Sequence, residues 1–354
     1  RDDRPVTPPP PQPPSLDYLE IANELPQPLS PGTTQRKLLI LDLNGTLVHR
    51  SAPGGRRNRN EPPPPADKHG RPQPRLRAVH PRPYMPAFRS YLFAPETKSW
   101  LDVMIWSSAQ PHSVADMASR CFGTQTEDLL AVWARDTLGL SEEHYHRKVQ
   151  TVKDLNIPWS KLDAHTHAHS ALTTLLLDDS PRKAERQPYN HFCVPEYSGE
   201  MRVKDLEALR IERMIAETET QRTTDSGEPS SSPSPPQGEA EPHRKKKTKE
   251  EKKLQAAMLD PHHSSRKFDE TLVAVVGVLD EARKQQNIAA WIRAGGLWGS
   301  ETLTAPTTSQ SQSGSSVPGM GMWFEHPPTL SFWARKGREA LARLGIPVEH
   351  GIER

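Results

Sequence analysis

Asp42, Asn44 and Thr46 place a carboxylate, an amide and a hydroxyl at alternate positions in the segment L-D-L-N-G-T-L, directly behind the apolar run that starts at Lys37. Taken alone, this segment has two readings. Asn-Gly between two apolar runs is the strongest short-range hairpin signal. A polar tip on a buried strand is equally the place for an active site. Two other apolar runs end in the same way: Trp106 leads into Ser107 and Ser108, and Leu177 into Asp178, Asp179 and Ser180. Ligands of open parallel sheets bind beyond the carboxyl ends of the strands. Three ends rich in carboxylate and hydroxyl oxygens would converge on one crevice, which favours the active-site reading. Asp-Asp-Ser-Pro also reads as a helix N-cap with proline in the first turn, a role compatible with holding a ligand.

These ends need strands to carry them. Short apolar runs predict strands at Lys37 to Leu43, Leu101 to Trp106, Ala131 to Arg135, Leu175 to Leu177 and His191 to Val194. Helical periodicity falls between Met85 and Phe122, at Pro111 to Arg120, across Val149 to Leu155 and over residues 201 to 216. Strands alternating with helices indicate a Rossmann-like parallel α/β sheet with helices on both faces. From Thr218 to Lys253 the chain is rich in Ser, Pro, Glu and Lys, and cannot bury enough apolar area to offset its ordering entropy. Patterning returns at Phe268, continues through Ile288 to Leu297, and ends in a helix at Ser331 to Leu344 stopped by Gly345. The economical organisation is a proline-rich disordered arm over 1–34, an α/β domain over 35–200 with a proline-rich insert at 51–83, a helix and disordered charged insert over 201–265, and C-terminal helices over 266–354 returning to the same sheet.

Composition supports that division. Of 37 prolines in 354 residues, 20 fall within residues 1–86, so the excess belongs to the arm and the first insert. Apolar residues make up 34% and the mean hydropathy is −0.75, values that exclude one core filling the whole length. No apolar run approaches the roughly 20 residues needed to span a bilayer. A net charge of +2 announces neither a direct nucleic-acid partner nor a membrane surface. Two cysteines, Cys121 and Cys193, point to a reducing compartment. The chain opens on Arg1, which reads as a fragment, so the absence of a signal or transit peptide says nothing about address; nothing in it signals an oligomeric state.

The motifs in order resemble those of the haloacid dehalogenase superfamily, and within it the NLI-interacting-factor-like branch. D-L-N-G-T resembles that family's D-x-D-x-T strand end. W-S-S-A at Trp106, V-K-D-L at Val152 and L-L-L-D-D-S-P at Leu175 are similar to its later signatures. The branch includes phosphatases of the RNA polymerase II C-terminal domain and the receptor subunit of the mitochondrial inner-membrane translocase. The resemblance therefore implies a Ser/Thr phosphoprotein substrate or a protein partner, and an address in nucleus or cytoplasm, with mitochondria as the alternative. It implies Asp42 as the nucleophile forming an aspartyl-phosphate, with Thr46 in the same motif. Ser107 would bond a phosphoryl oxygen, and Lys153 would neutralise charge shared by nucleophile and phosphoryl group. Mg²⁺ would be held by Asp42, Asp178, Asp179 and the backbone carbonyl of Asn44. The departure is Asn44 itself. Family phosphatases carry there a second aspartate that protonates the leaving group and later activates water, and an amide exchanges no proton at neutral pH. Metal and phosphate binding are expected to persist while turnover falls by about 10² to 10⁴. A catalytically inactive binding module is the rival reading.

Other signals have plainer explanations. Arg244, Lys245, Lys246, Lys247 and Lys249 read as a nuclear localisation signal or a solvated charge run. His165, His167 and His169 read as a polar loop rather than a metal site. Trp133 reads as core, and Arg182 and Lys183 as cleft-rim residues able to meet an acidic substrate or face solvent.

Overall fold

Lys37–Leu41 is buried along its whole length and forms β1, as expected of a strand with both faces covered. The computed structural model describes residues 12–51, 76–147, 149–162, 167–225, 267–299 and 321–353. In chain order the elements are α1 (Leu16–Asn23), β1, β2 (Val48–Arg50), β3 (Val79–Pro81), α2 (Met85–Phe93), α3 (Pro95–Lys98), β4 (Leu101–Trp106), α4 (Pro111–Phe122), β5 (Ala131–Trp133), α5 (Glu142–Tyr145), α6 (Asn156–Lys161), β6 (Thr174–Asp178), β7 (His191–Cys193), α7 (Gly199–Asp225), α8 (Thr271–Ala282), α9 (Ile288–Arg293) and α10 (Pro327–Arg343).

Five strands make one parallel sheet in the order β5-β4-β1-β6-β7, flanked by helices. β1 lies between β4 and β6, with Leu39 opposite Val103 on one side and Leu175 on the other. The Asn-Gly hairpin reading is thereby settled against: β1 does not fold back on the next segment. One face of the sheet presents Leu38, Ile40, Met104, Trp106 and Leu176 to Leu155, with Ile157, Trp159 and Leu162 packed around them. Trp106 meets Trp133 edge-on at 5.7 Å, so Trp133 packs as the sequence suggested.

α8 and α10 belong to the same compact unit as the sheet, which comprises residues 1–199 and 270–351. The two helices approach backbone to backbone. A Cβ on Gly337 would lie 1.8 Å from Val273 O, and one on Gly277 would lie 2.2 Å from Trp333 O. Residues 200–269 and 352–354 form a second unit, in which the Asp205 carboxylate accepts the Asp269 N–H at 3.0 Å.

Several expectations need correction. α1 lies inside the stretch assigned to a disordered arm. Ser15 caps it, and Tyr18 and Ala22 pack on Ala171 and Ala289, with the Tyr18 hydroxyl accepting the Tyr189 N–H at 2.8 Å. The insert is narrower than 51–83, because β2 and β3 pair across its base; residues 52–75 lie outside those described. Val149–Leu155 is irregular rather than helical. Its backbone is claimed by tertiary partners, Lys153 N–H by Lys183 O at 2.8 Å and Leu155 N–H by Gln187 Oε1 at 3.0 Å. α7 continues to Asp225, past the point where periodicity fades. The rest of the charged insert lies outside the described residues, as does His165.

At the amino ends of the strands, Arg36 donates to both Asp102 carboxylate oxygens, at 2.8 and 2.7 Å, clamping the start of β1 to β4. His169, expected in a polar loop, is buried against the same carboxylate at 3.2 Å. Burial pushes the Asp102 carboxyl up, but the hydrogen bonds from His169 and Arg36 outweigh it and hold it at about 2. A depressed carboxyl contributes stability above its unfolded value, about 3.9, that is lost as pH falls towards the folded value. Asp102→Asn is therefore expected to cost about 1 kcal/mol near neutrality, allowing for solvent screening. In urea titrations the gap from wild type should narrow between about pH 4 and pH 2; a gap constant across that range would overturn this assignment.

Candidate active site

The carboxyl ends of β1, β4 and β6 lie side by side, so Asp42, Ser107 and Asp178 share one edge of the sheet. Asp42 N–H donates to Leu177 O at 2.9 Å, locking its backbone to β6. The chain then turns sharply: Leu43 O accepts from the N–H groups of Thr46, Leu47 and Val48. Gly45 sits at φ +91°, and a Cβ there would lie 2.8 Å from Asp179 Oδ2. Glycine is required twice over, by the left-handed backbone and by the close approach of a carboxylate. Fully buried Arg82 braces this turn from below. It donates to Thr46 O, Pro195 O and Thr271 Oγ1, each at 3.0 Å, and so ties the site loop to α8.

Within this frame Lys153 is completely buried and bridges two carboxylates, Asp42 Oδ1 at 2.9 Å and Asp178 Oδ2 at 2.6 Å. Thr46 Oγ1 donates to Asp179 Oδ1 at 3.2 Å and accepts the Asp179 N–H at 3.2 Å. Asp178 Oδ1 accepts the Ser180 N–H at 2.9 Å, an Asx turn; the helical turn Pro181–Ala184 begins behind Ser180 with no side-chain hydrogen bond at its cap, so the N-cap read from the sequence is not formed. Asp42, Thr46, Lys153, Asp178 and Asp179 are thus brought together. Asn44 and Ser107 are not hydrogen-bonded to them: Asn44 is exposed, and buried Ser107 accepts the Ala109 N–H at 3.4 Å.

The electrostatics follow from burial. It raises the Asp42 carboxyl against the pull of Lys153. It acts likewise on Asp178, but there the Lys153 charge prevails and the carboxyl stays below the usual range. Lys153, opposed by burial, is raised by the two carboxylates. Asp179, buried and facing Asp42 and Asp178, is pushed up to about 7. Oxygens of Asp42, Asp178 and Asp179 all lie within 4.8 Å of one another. Three converging carboxylates with too little positive charge between them suit a hard divalent cation such as Mg²⁺, so the donor set fits the ion that the motifs imply.

Two further neighbours flank the cleft. Arg135 is buried and donates to the carbonyls of Ser108, His144, Tyr145 and Arg147, pinning the 144–147 turn beside the cleft. Arg182 is exposed, whereas Lys183 turns inward and donates to Ser108 Oγ at 3.1 Å and to Thr151 Oγ1. A basic pair behind Ser-Pro carries no signal telling which member faces the cleft.

A parallel α/β sheet whose carboxyl edge gathers Asp42, Lys153 and the Asp178-Asp179 pair defines a haloacid dehalogenase-type domain. Within that class, residues 37–224 match the family described as NLI interacting factor-like phosphatase, and the chain belongs to it. An uncharacterized FCP1 homology domain-containing protein of Schizosaccharomyces pombe is 32% identical over 211 residues, covering 57% of this chain and 78% of that protein.

Proposed function

We propose that this chain is a Mg²⁺-dependent phosphatase domain for Ser/Thr phosphoproteins, working through an aspartyl-phosphate on Asp42 and slowed by Asn44. The observation that carries this reading is the Asp42 carboxylate, held 2.9 Å from Lys153 Nζ and within 4.8 Å of Asp178 and Asp179 oxygens. Mg²⁺, held by Asp42, Asp178, Asp179 and the Asn44 carbonyl, would supply positive charge to the phosphoryl oxygens.

Asp42 attacks phosphorus, and the bond from phosphorus to the seryl or threonyl oxygen breaks. Lys153 opposes the burial that raises the Asp42 carboxyl and meets the charge that develops on the transferring group. Ser107 lies at the adjoining strand end and, in this reading, bonds a phosphoryl oxygen once substrate enters. The departing alkoxide draws its proton from solvent, because the Asn44 amide has none to give. Water then attacks the aspartyl-phosphate, the bond to Asp42 breaks, and phosphate leaves.

Asn44 also supports a second reading, a phosphopeptide- or protein-binding module that keeps the cleft without turnover, like the translocase-receptor branch. Hydrolysis of p-nitrophenyl phosphate separates the two. The phosphatase reading expects slow release that stops with EDTA and resumes with Mg²⁺. No hydrolysis, with phosphate still bound, would favour the module; neither hydrolysis nor phosphate binding would overturn both. No helix among the described residues is long and apolar enough to cross a membrane. The basic run from Arg244 to Lys249 supports a nuclear address over a mitochondrial one.

A further inference from the structure

Beside the carboxylate cluster stands a second lysine in no direct ion pair: Asp178, Asp42 and Asp179 act on its charge only from beyond contact distance. Lys183 is half-buried, yet among the described residues no carboxylate lies within ion-pair distance of its Nζ. An ammonium has three donors. Two are spent on neutral hydroxyls, Ser108 Oγ at 3.1 Å and Thr151 Oγ1, which leaves one N–H with no protein acceptor among the described residues. Removing a charge from water is costly unless an opposite charge meets it. The lysine is nonetheless held firmly. Its N–H donates to Ser180 O at 3.0 Å and its carbonyl accepts the Lys153 N–H at 2.8 Å, so the two lysines share one backbone frame. Ser108 adjoins Ser107 at the end of β4, and Thr151 lies two residues before Lys153, so both hydroxyls set the ammonium at the cleft.

The charges of the loaded site show what it is for. With Mg²⁺ bound and all three ionised, Asp42, Asp178 and Asp179 would carry three negative charges, which Lys153 and the ion would just balance. A phosphoryl dianion would then bring two uncompensated charges into a half-buried cleft. We propose that Lys183 is a binding residue for the phosphoryl group: its unused N–H takes a non-bridging phosphoryl oxygen, and its charge halves the excess. Ser108 and Thr151 position it. The inference rests on the phosphatase-like reading and assigns it a contact outside the four motifs. It makes the preferred ligand a phosphate monoester dianion and disfavours singly charged phosphodiesters.

The test is equilibrium binding of inorganic phosphate to the whole chain in the presence of Mg²⁺, by calorimetry, for wild type, Lys183→Met and Lys183→Arg. A charge-assisted hydrogen bond to phosphate predicts about ten- to a hundredfold weaker binding in Lys183→Met, partly restored in Lys183→Arg. Mg²⁺ binding measured without phosphate should change far less, which a merely structural role for Lys183 does not predict. If Lys183→Met fails to fold, Lys183→Gln, one bond shorter, keeps a polar NH₂ donor directed towards Ser108 and Thr151 while removing the charge. Phosphate bound equally well by wild type and the charge-free variants would overturn the role of Lys183 and leave the phosphatase reading standing. A wild type that binds no phosphate would overturn both.

Discussion

Asn44→Asp raises turnover of p-nitrophenyl phosphate and of phosphoserine peptides by about 10² to 10⁴, the range that a positioned general acid and base supplies. The gain should be smaller for p-nitrophenyl phosphate, whose leaving group needs little protonation, and larger for a seryl oxygen, which needs it most. Asn44 is exposed at the lip of the cleft, so a carboxylate placed there remains solvated and free to exchange protons. The buried cluster below is untouched by this change, since no hydrogen bond links it to the Asn44 side chain. Adding Asp42→Asn to the same chain should return activity to background, because the nucleophile is then gone. An equally active Asn44→Asp,Asp42→Asn double variant would show that hydrolysis occurs elsewhere. Peptide mass spectrometry provides the control. Asn-Gly pairs deamidate when the glycine nitrogen attacks the amide carbon. In the folded chain that N–H is engaged with Val48 O at 2.8 Å, so conversion of wild-type Asn44 to aspartate should be slow until the protein unfolds.

The sheet was legible because its three central strands are short, almost wholly apolar runs, and burial on both faces imposes that composition. Their polar tips were legible for a related reason: Asp42, Ser107 and Asp178 interrupt an apolar pattern where only a ligand or a cap rewards a polar group. Distance along the chain hid what remained. Lys153 lies in a segment whose periodicity suggested a helix, but the bond from its N–H to Lys183 O holds that segment irregular, and tertiary bonds of this kind override local propensity. β2 and β3 have three residues each, too few for alternation to stand out beside the prolines. Arg82 stands between two of those prolines and looks like part of the insert, although it is fully buried and braces the Thr46 turn. α1 falls in a proline-rich region, where the prolines around it outweigh the short amphipathic stretch from Leu16 to Leu25; the Ser15 cap and the packing of Tyr18 and Ala22 distinguish it from a spacer.

Lys153→Met has the other large expected effect, and it bears on stability as well as activity. The ammonium lies between Asp42 and Asp178 with no exposure to solvent. Its removal leaves two buried carboxylates facing each other, and breaking a buried ion pair from one side costs about 3 to 5 kcal/mol. Urea denaturation in EDTA should register that loss against wild type. Mg²⁺ should recover a larger share of stability in the variant than in wild type, since it becomes the main positive charge left beside the three carboxylates. Saturation at a hundred times the dissociation constant contributes about 2.7 kcal/mol. Activity should nevertheless remain about 10² to 10³ below wild type in Mg²⁺, because a donor aimed at the developing phosphoryl charge is missing and an added cation does not replace its geometry. A Lys153→Met chain as stable as wild type in EDTA would mean that Asp42 and Asp178 are not both ionised in the free protein. The buried triad would then hold shared protons in place of opposed charges.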